Sequence, residues 1–156
     1  MGYRRKSREL ALQALFYLES NQSDQNQADP DGSEIEKEDQ EELEELINHF
    51  CLSFEEKITE STKPFFLLLV KGVINNKAEL DSLLDSCSKN WKLSRMSSVD
   101  KNIMRIGAFE LLKCQDIPSS VTINEAVEIG KKFGAKDSAS FINGVLDKIR
   151  ILKNIE

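Results

Sequence analysis

The sequence is short of the residues that staple, coordinate or catalyse. Its three cysteines, Cys51, Cys87 and Cys114, lie far apart with no CxxC pair, and His49 is the only histidine. Neither a zinc site nor a disulfide framework is spelled out, so the cysteines read as reduced core thiols and no metal or cofactor is implied. A thiol enzyme built on His49 and Cys51 is set aside as well, because residues two apart on a helix point about 200° apart and could not readily meet. Long apolar runs are also missing. The stretch FFLLLV, Phe65 to Val70, is far below the about 20 residues that span a bilayer, and the N-terminal cations lead into amphipathic sequence rather than a signal-peptide apolar block. The expectation is a soluble, cytoplasmic protein that makes no membrane contact. No aromatic-rich strand of an RNA-binding sheet platform occurs either.

What is present is unevenly placed. The net charge of −6 hides an acidic insert within a basic body: residues 24–60 carry 14 of the 27 acids against only Lys37 and Lys57, net −12, which leaves +6 on the remainder. Most of that insert, NQSDQNQADPDGSEIEKEDQEELEE from Asn21 to Glu45, has too few apolar residues to offset its ordering entropy and reads as a flexible loop, above all in its first half. The 156 residues suit a single domain, 1–156, able to bury about two-thirds of the surface its unfolded chain exposes.

Hydrophobic periodicity predicts helices and almost no strand. The first covers about Arg4 to Ser20, and a second about Glu41 to Ser61, with a break near Leu52 to Phe54. Pro64 suits the first turn of a third that ends near Asn76. A fourth, Lys77 to Trp91, has Leu80, Leu83, Leu84 and Cys87 at i, i+3, i+4, i+7. SSVD offers a capping box, Ser97 with Asp100, for a fifth helix to about Cys114. TINE, Thr122 to Glu125, reads as a second box for a sixth, which Gly134 closes. Asp137 caps a seventh that runs to about Lys153. Seven helices with short connections make an all-α bundle. The fifth is apolar around nearly its whole circumference, from Ile103 to Leu112, which is the pattern of a buried helix with others wrapped around it.

Two helices carry features that a core does not require. The stretch YRRKSREL puts Arg4, Arg5, Lys6 and Arg8 at the N-terminus of helix one, where the macrodipole disfavours cations by about 0.3 to 1 kcal/mol each. A phosphate backbone would neutralise them; solvated charge on a frayed end is the alternative. On the same helix Leu12 and Phe16 form an i, i+4 apolar pair outside the core arc, either a partner's landing site or a contact to helix two or the acidic loop. In FGAKDSASFINGVLDK, Phe141 sits at the edge of the core arc beside Asp137. It reads either as a ring that stacks on a base near Lys136, and near Lys131 and Lys132, or as peripheral core with Asp137 as a cap.

The runs RRKSRELALQALFYLE, SSVDKNIMRIGAFELL and above all IPSSVTINEAVEIGKKFGAKDSASFINGVLDKI resemble the NusB family of bacterial transcription antitermination factors. The resemblance extends over nearly the whole chain except the acidic insert. It implies two three-helix subdomains packed across one another, and binding without catalysis. It also implies pairing with a small-subunit ribosomal protein, NusE, and binding of single-stranded boxA RNA within an antitermination complex on RNA polymerase. Family RNA contacts fall here on Arg4, Arg5, Lys6, Arg8, Lys136, Asp137 and Phe141. NusE contacts fall on Phe16 and Asp100, with Leu12 beside Phe16. Some relatives form homodimers, which this sequence neither requires nor excludes. A helical protein–protein module without RNA binding fits the composition equally well.

Overall fold

Ser97 opens the helix around which the others assemble: its hydroxyl accepts the Asp100 N–H at 3.1 Å, the cap expected of it. The computed structural model describes residues 2–22, 37–54, 57–89 and 91–156. Among these lie seven α-helices, α1 (Tyr3–Gln22), α2 (Lys37–Ser53), α3 (Lys63–Asn75), α4 (Lys77–Cys87), α5 (Ser98–Lys113), α6 (Ser119–Phe133) and α7 (Ser138–Leu152), a 3₁₀ turn at Leu93–Arg95, and no strand.

Helix α5 is buried from Asn102 to Leu111 without interruption, as its all-round apolar pattern requires. α1, α2 and α3 pack as one three-helix group and α5, α6 and α7 as another. α1 and α3 lie against α5, and α4 bridges α5 and α7. Two glycines allow the close crossings. A Cβ on Gly72 of α3 would come within 2.2 Å of the Phe109 ring, and one on Gly107 within 2.7 Å of Leu146. The core includes Phe50, Phe66, Met104, Ile142 and Leu146.

Several boundaries differ from those read off the sequence. α2 begins at Lys37 rather than Glu41 and ends at Ser53 rather than Ser61, so residues 37–45 of the acidic stretch are helical, not loop. Glu, Lys and Gln are good helix formers even where they bury nothing. The rest of that stretch falls mainly at 23–36, outside the described residues. α4 stops at Cys87, where the Ser88 hydroxyl lies 2.9 Å from the Leu84 carbonyl and 3.0 Å from the Trp91 carbonyl, sharing its one hydrogen between them, and turns the chain. α6 starts at Ser119 directly after Pro118, because proline's fixed φ and missing N–H favour a helix start. Thr122 is therefore interior and buried rather than a cap, and the second capping box does not form.

Candidate nucleic-acid interface

The cations of α1 meet acids supplied by other elements. Arg8 is buried, at 3% exposure, and its Nε and Nη2 donate to the Glu110 carboxylate of α5 at 3.0 and 2.6 Å. Arg5 makes a similar fork with Glu125 of α6, at 2.7 and 2.8 Å. Arg4 lies 3.8 Å from Asp116 on the exposed surface. Lys6 has no ion pair among the described residues. Arg8, expected as a surface cation, is thus an internal tie between α1 and α5, since the helix that buries its flank also brings Glu110 to it. Arg4, Arg5 and Lys6 remain at or near the surface.

Electrostatics within this network have opposing signs. The Arg5 hydrogen bonds hold the Glu125 carboxyl below its ordinary value. Glu19 is also held low: burial works against its charge, but the Ser98 hydroxyl at 2.5 Å and Arg105 at 2.8 Å outweigh it. Burial pushes Glu110 up despite Arg8. A carboxyl lowered in the folded state contributes stability above its unfolded pKa and loses it as pH falls through the folded value; a raised one contributes most at low pH and loses it as pH rises. Replacing Glu125 with Gln is therefore expected to flatten the acid limb of a plot of melting temperature against pH, below about pH 5. An acid limb as steep as the parent's would refute that assignment.

At the far end of α5 a cleft of about 380 Å³ opens between its N-terminus, the segment before it, and the start of α7. Its lining joins Asp100, Lys136, Asp137 and Phe141 with two residues that sequence reasoning passed over, Trp91 and Arg95. Trp91 is 54% exposed, unusual for so large an apolar surface. A basic run around a tryptophan, Lys89, Lys92 and Arg95, was the signal that could have found it. Of the other cations proposed near Phe141, Lys131 pairs with Glu128 and Lys132 with Glu9, each at 3.1 Å.

Asp137 stands at the N-cap position of α7 with helical φ and ψ of −97° and 0°, and its side chain makes no cap bond. The Ser138 hydroxyl reaches back to accept the Ala135 N–H at 2.9 Å, which fixes the turn before α7 and caps none of its own N–H groups. The cap reading of Asp137 is thereby corrected, leaving an exposed carboxylate at the cleft. Asp137→Ala should lie within about 0.5 kcal/mol of the parent in denaturant unfolding; a loss near the about 1 kcal/mol of a true cap would restore the structural role.

The expected apolar pair of α1 separates. Leu12 is core, 4% exposed, facing Ile103 and Ile106 of α5 with Ala126 and Ile129 of α6, because α5 packs on that side of the helix with α6 beside it. Phe16 is 51% exposed. One turn on, Glu19 binds Ser98 and Arg105, while Arg105 also grips Asp81 at 2.6 Å. This ties the end of α1 that carries Phe16 to the start of α5 that carries Asp100. No helix among the described residues is long and apolar enough to cross a membrane.

Comparison with known proteins agrees with this architecture. The NusB family model matches residues 5–150. The transcription antitermination protein NusB of Desulforapulum autotrophicum is 54% identical over the whole chain and 96% of its own length. That of Geotalea uraniireducens is 42% identical over 97% of each. Among solved structures, T. maritima NusB superposes with a TM-score of 0.73 at 32% identity, covering 94% of this chain and 89% of that one. A chain in a crystal structure of the antitermination factors NusB and NusE with double-stranded RNA also gives 0.73, at 21% identity, over 97% of this chain and 98% of that one; this second likeness is one of fold.

Proposed function

Because this chain belongs to the NusB family, we propose that it is an RNA-binding transcription antitermination factor: it pairs with ribosomal protein NusE, binds boxA-type single-stranded RNA within an RNA polymerase antitermination complex, and supports transcription of ribosomal RNA operons. It binds and does not catalyse, and it works in the cytoplasm. The observation that carries the reading is the cleft in which Lys136, Asp137 and Phe141 converge on Asp100. The cation Lys136, the acceptor Asp137 and the half-buried ring of Phe141 suit a single-stranded base and its phosphate. Arg4, Arg5 and Lys6 extend the positive surface; Arg8 supports it from beneath. Phe16 and Asp100 form the partner face.

The test is an anisotropy titration of labelled boxA-type RNA with and without NusE at two salt concentrations. Affinity should rise with NusE and fall with salt, since each neutralised phosphate adds about 0.7 of a unit to the log–log slope for a single strand. Phe16→Ala should weaken NusE binding about tenfold, the cost of truncating one modest aromatic anchor, and leave RNA binding by this chain alone unchanged. RNA binding absent at both salts, with NusE present, would refute the reading.

A further inference from the structure

The partner face draws on two helices, and a buried junction sets the distance between them. Arg105 of α5, with a side chain only 5% exposed, lies between two carboxylates. Its Nε and Nη2 donate to Asp81 of α4 at 2.6 and 3.0 Å. Its Nη1 donates to Glu19 of α1 at 2.8 Å and to the Asn102 amide oxygen at 3.0 Å. The second Glu19 oxygen accepts from the hydroxyl of Ser98, the first residue of α5, at 2.5 Å. Glu19 follows Phe16 by nearly one turn of α1, and Ser98 stands just ahead of Asp100. One carboxylate therefore holds the end of α1 against the start of α5, and Arg105 fixes that carboxylate from the interior. The guanidinium is a rigid planar fork, so its bonds on both edges leave α1, α4 and α5 little freedom to slide.

A contact shared between a ring on one helix and a carboxylate on another needs their spacing held, to within about 0.5 Å in well-ordered sites. Phe16 is half exposed, so its position is set by the helix beneath it rather than by packing around the ring. We propose that Ser98, Glu19 and Arg105 are positioning residues of the partner face: they hold α1 and α5 at the spacing that lets Phe16 and Asp100 engage one partner together. Arg105 is buried and does so without touching that partner. The proposal rests on the assignment of Phe16 and Asp100 to the NusE face, and adds to it the residues that set its geometry.

Arg105→Ala would leave Asp81 and Glu19 without their counter-ion and confound binding with unfolding. Ser98→Ala removes a single hydroxyl from a half-buried position and is the better variant. Calorimetric titration with NusE, run on each protein well below its melting midpoint, gives the readout. Ser98→Ala should weaken NusE binding about fivefold, the net worth of one hydrogen bond, and Ser98→Thr, which keeps the hydroxyl, should restore it. Arg105→Lys, which keeps the charge but loses the fork, should act in the same direction as Ser98→Ala. In a Phe16→Ala background Ser98→Ala should cost less, because a ring that is absent cannot be misplaced; independent sites would give equal losses. If Ser98→Ala and Arg105→Lys bind NusE like the parent, if threonine fails to restore affinity, or if the loss is the same in both backgrounds, the proposal falls and the partner face stands. If Phe16→Ala binds NusE as tightly as the parent, the partner face itself falls, and the proposal with it.

Discussion

Arg8→Ala is expected to cost about 3 to 5 kcal/mol of stability, because it breaks a buried ion pair and leaves one charge uncompensated. Against a total of about 5 to 15 kcal/mol for a typical domain, that brings the chain close to unfolding at ordinary temperature. Two features make this site severe. Glu110 is itself buried, and although the nearby Glu125 carboxylate lies 3.8 Å from Arg8, it can only repel Glu110 once the guanidinium is gone. Part of the loss should be recovered by Arg8→Met combined with Glu110→Leu, since a buried pair replaced by apolar residues of similar size is often neutral or better. Arg5→Ala, whose partner Glu125 is only half-buried, should cost about 1 kcal/mol or less. Urea unfolding of the four proteins checks this. An Arg8→Ala variant as stable as Arg5→Ala would return Arg8 to the surface and to the RNA.

Phe141→Ala should lower affinity for boxA-type RNA by about 1 to 3 kcal/mol, the range measured for one base stacked on one ring, which is about five- to a hundredfold. Its stability cost should stay well below the about 3 to 5 kcal/mol of a fully buried phenylalanine, since the ring packs only partly against the core. The measurement is paired, with the melting midpoint and the RNA affinity taken in the presence of NusE. A variant that unfolds but, once stabilised by cooling, binds RNA normally would mark Phe141 as structural.

Much of the fold was legible because it depends on local chemistry. The Ser97 cap, the Gly134 terminus, Pro64 in the first turn of α3 and the all-round apolar α5 are each properties of a few neighbouring residues. Where such signals misled, a neighbour in sequence had the stronger effect. Pro118 started α6 before Thr122 could cap it, and Asp137 took the N-cap position of α7 with a helical backbone that leaves its side chain without a cap bond. Trp91 was expected as the last residue of the fourth helix, but α4 ends at Cys87, and an isolated tryptophan in a polar stretch has no periodicity to betray its exposure.

The order and character of the helices, the buried status of α5 and the basic start of α1 follow from the sequence by itself, since hydrophobic period and capping act within one or two turns. Which of the α1 cations face solvent was decided only in three dimensions. Arg4, Arg5, Lys6 and Arg8 are alike in type and share one helix end, and nothing local distinguishes them. The difference comes from Glu110 and Glu125, more than a hundred residues away, which α5 and α6 bring against one flank of α1. Leu12 and Phe16 were separated in the same way, when α5 and α6 covered one and left the other open. The cleft uniting Trp91, Asp100 and Phe141 likewise exists only once α5 sets the start of α7 beside the turn that follows α4, because long-range packing determines which side chains converge.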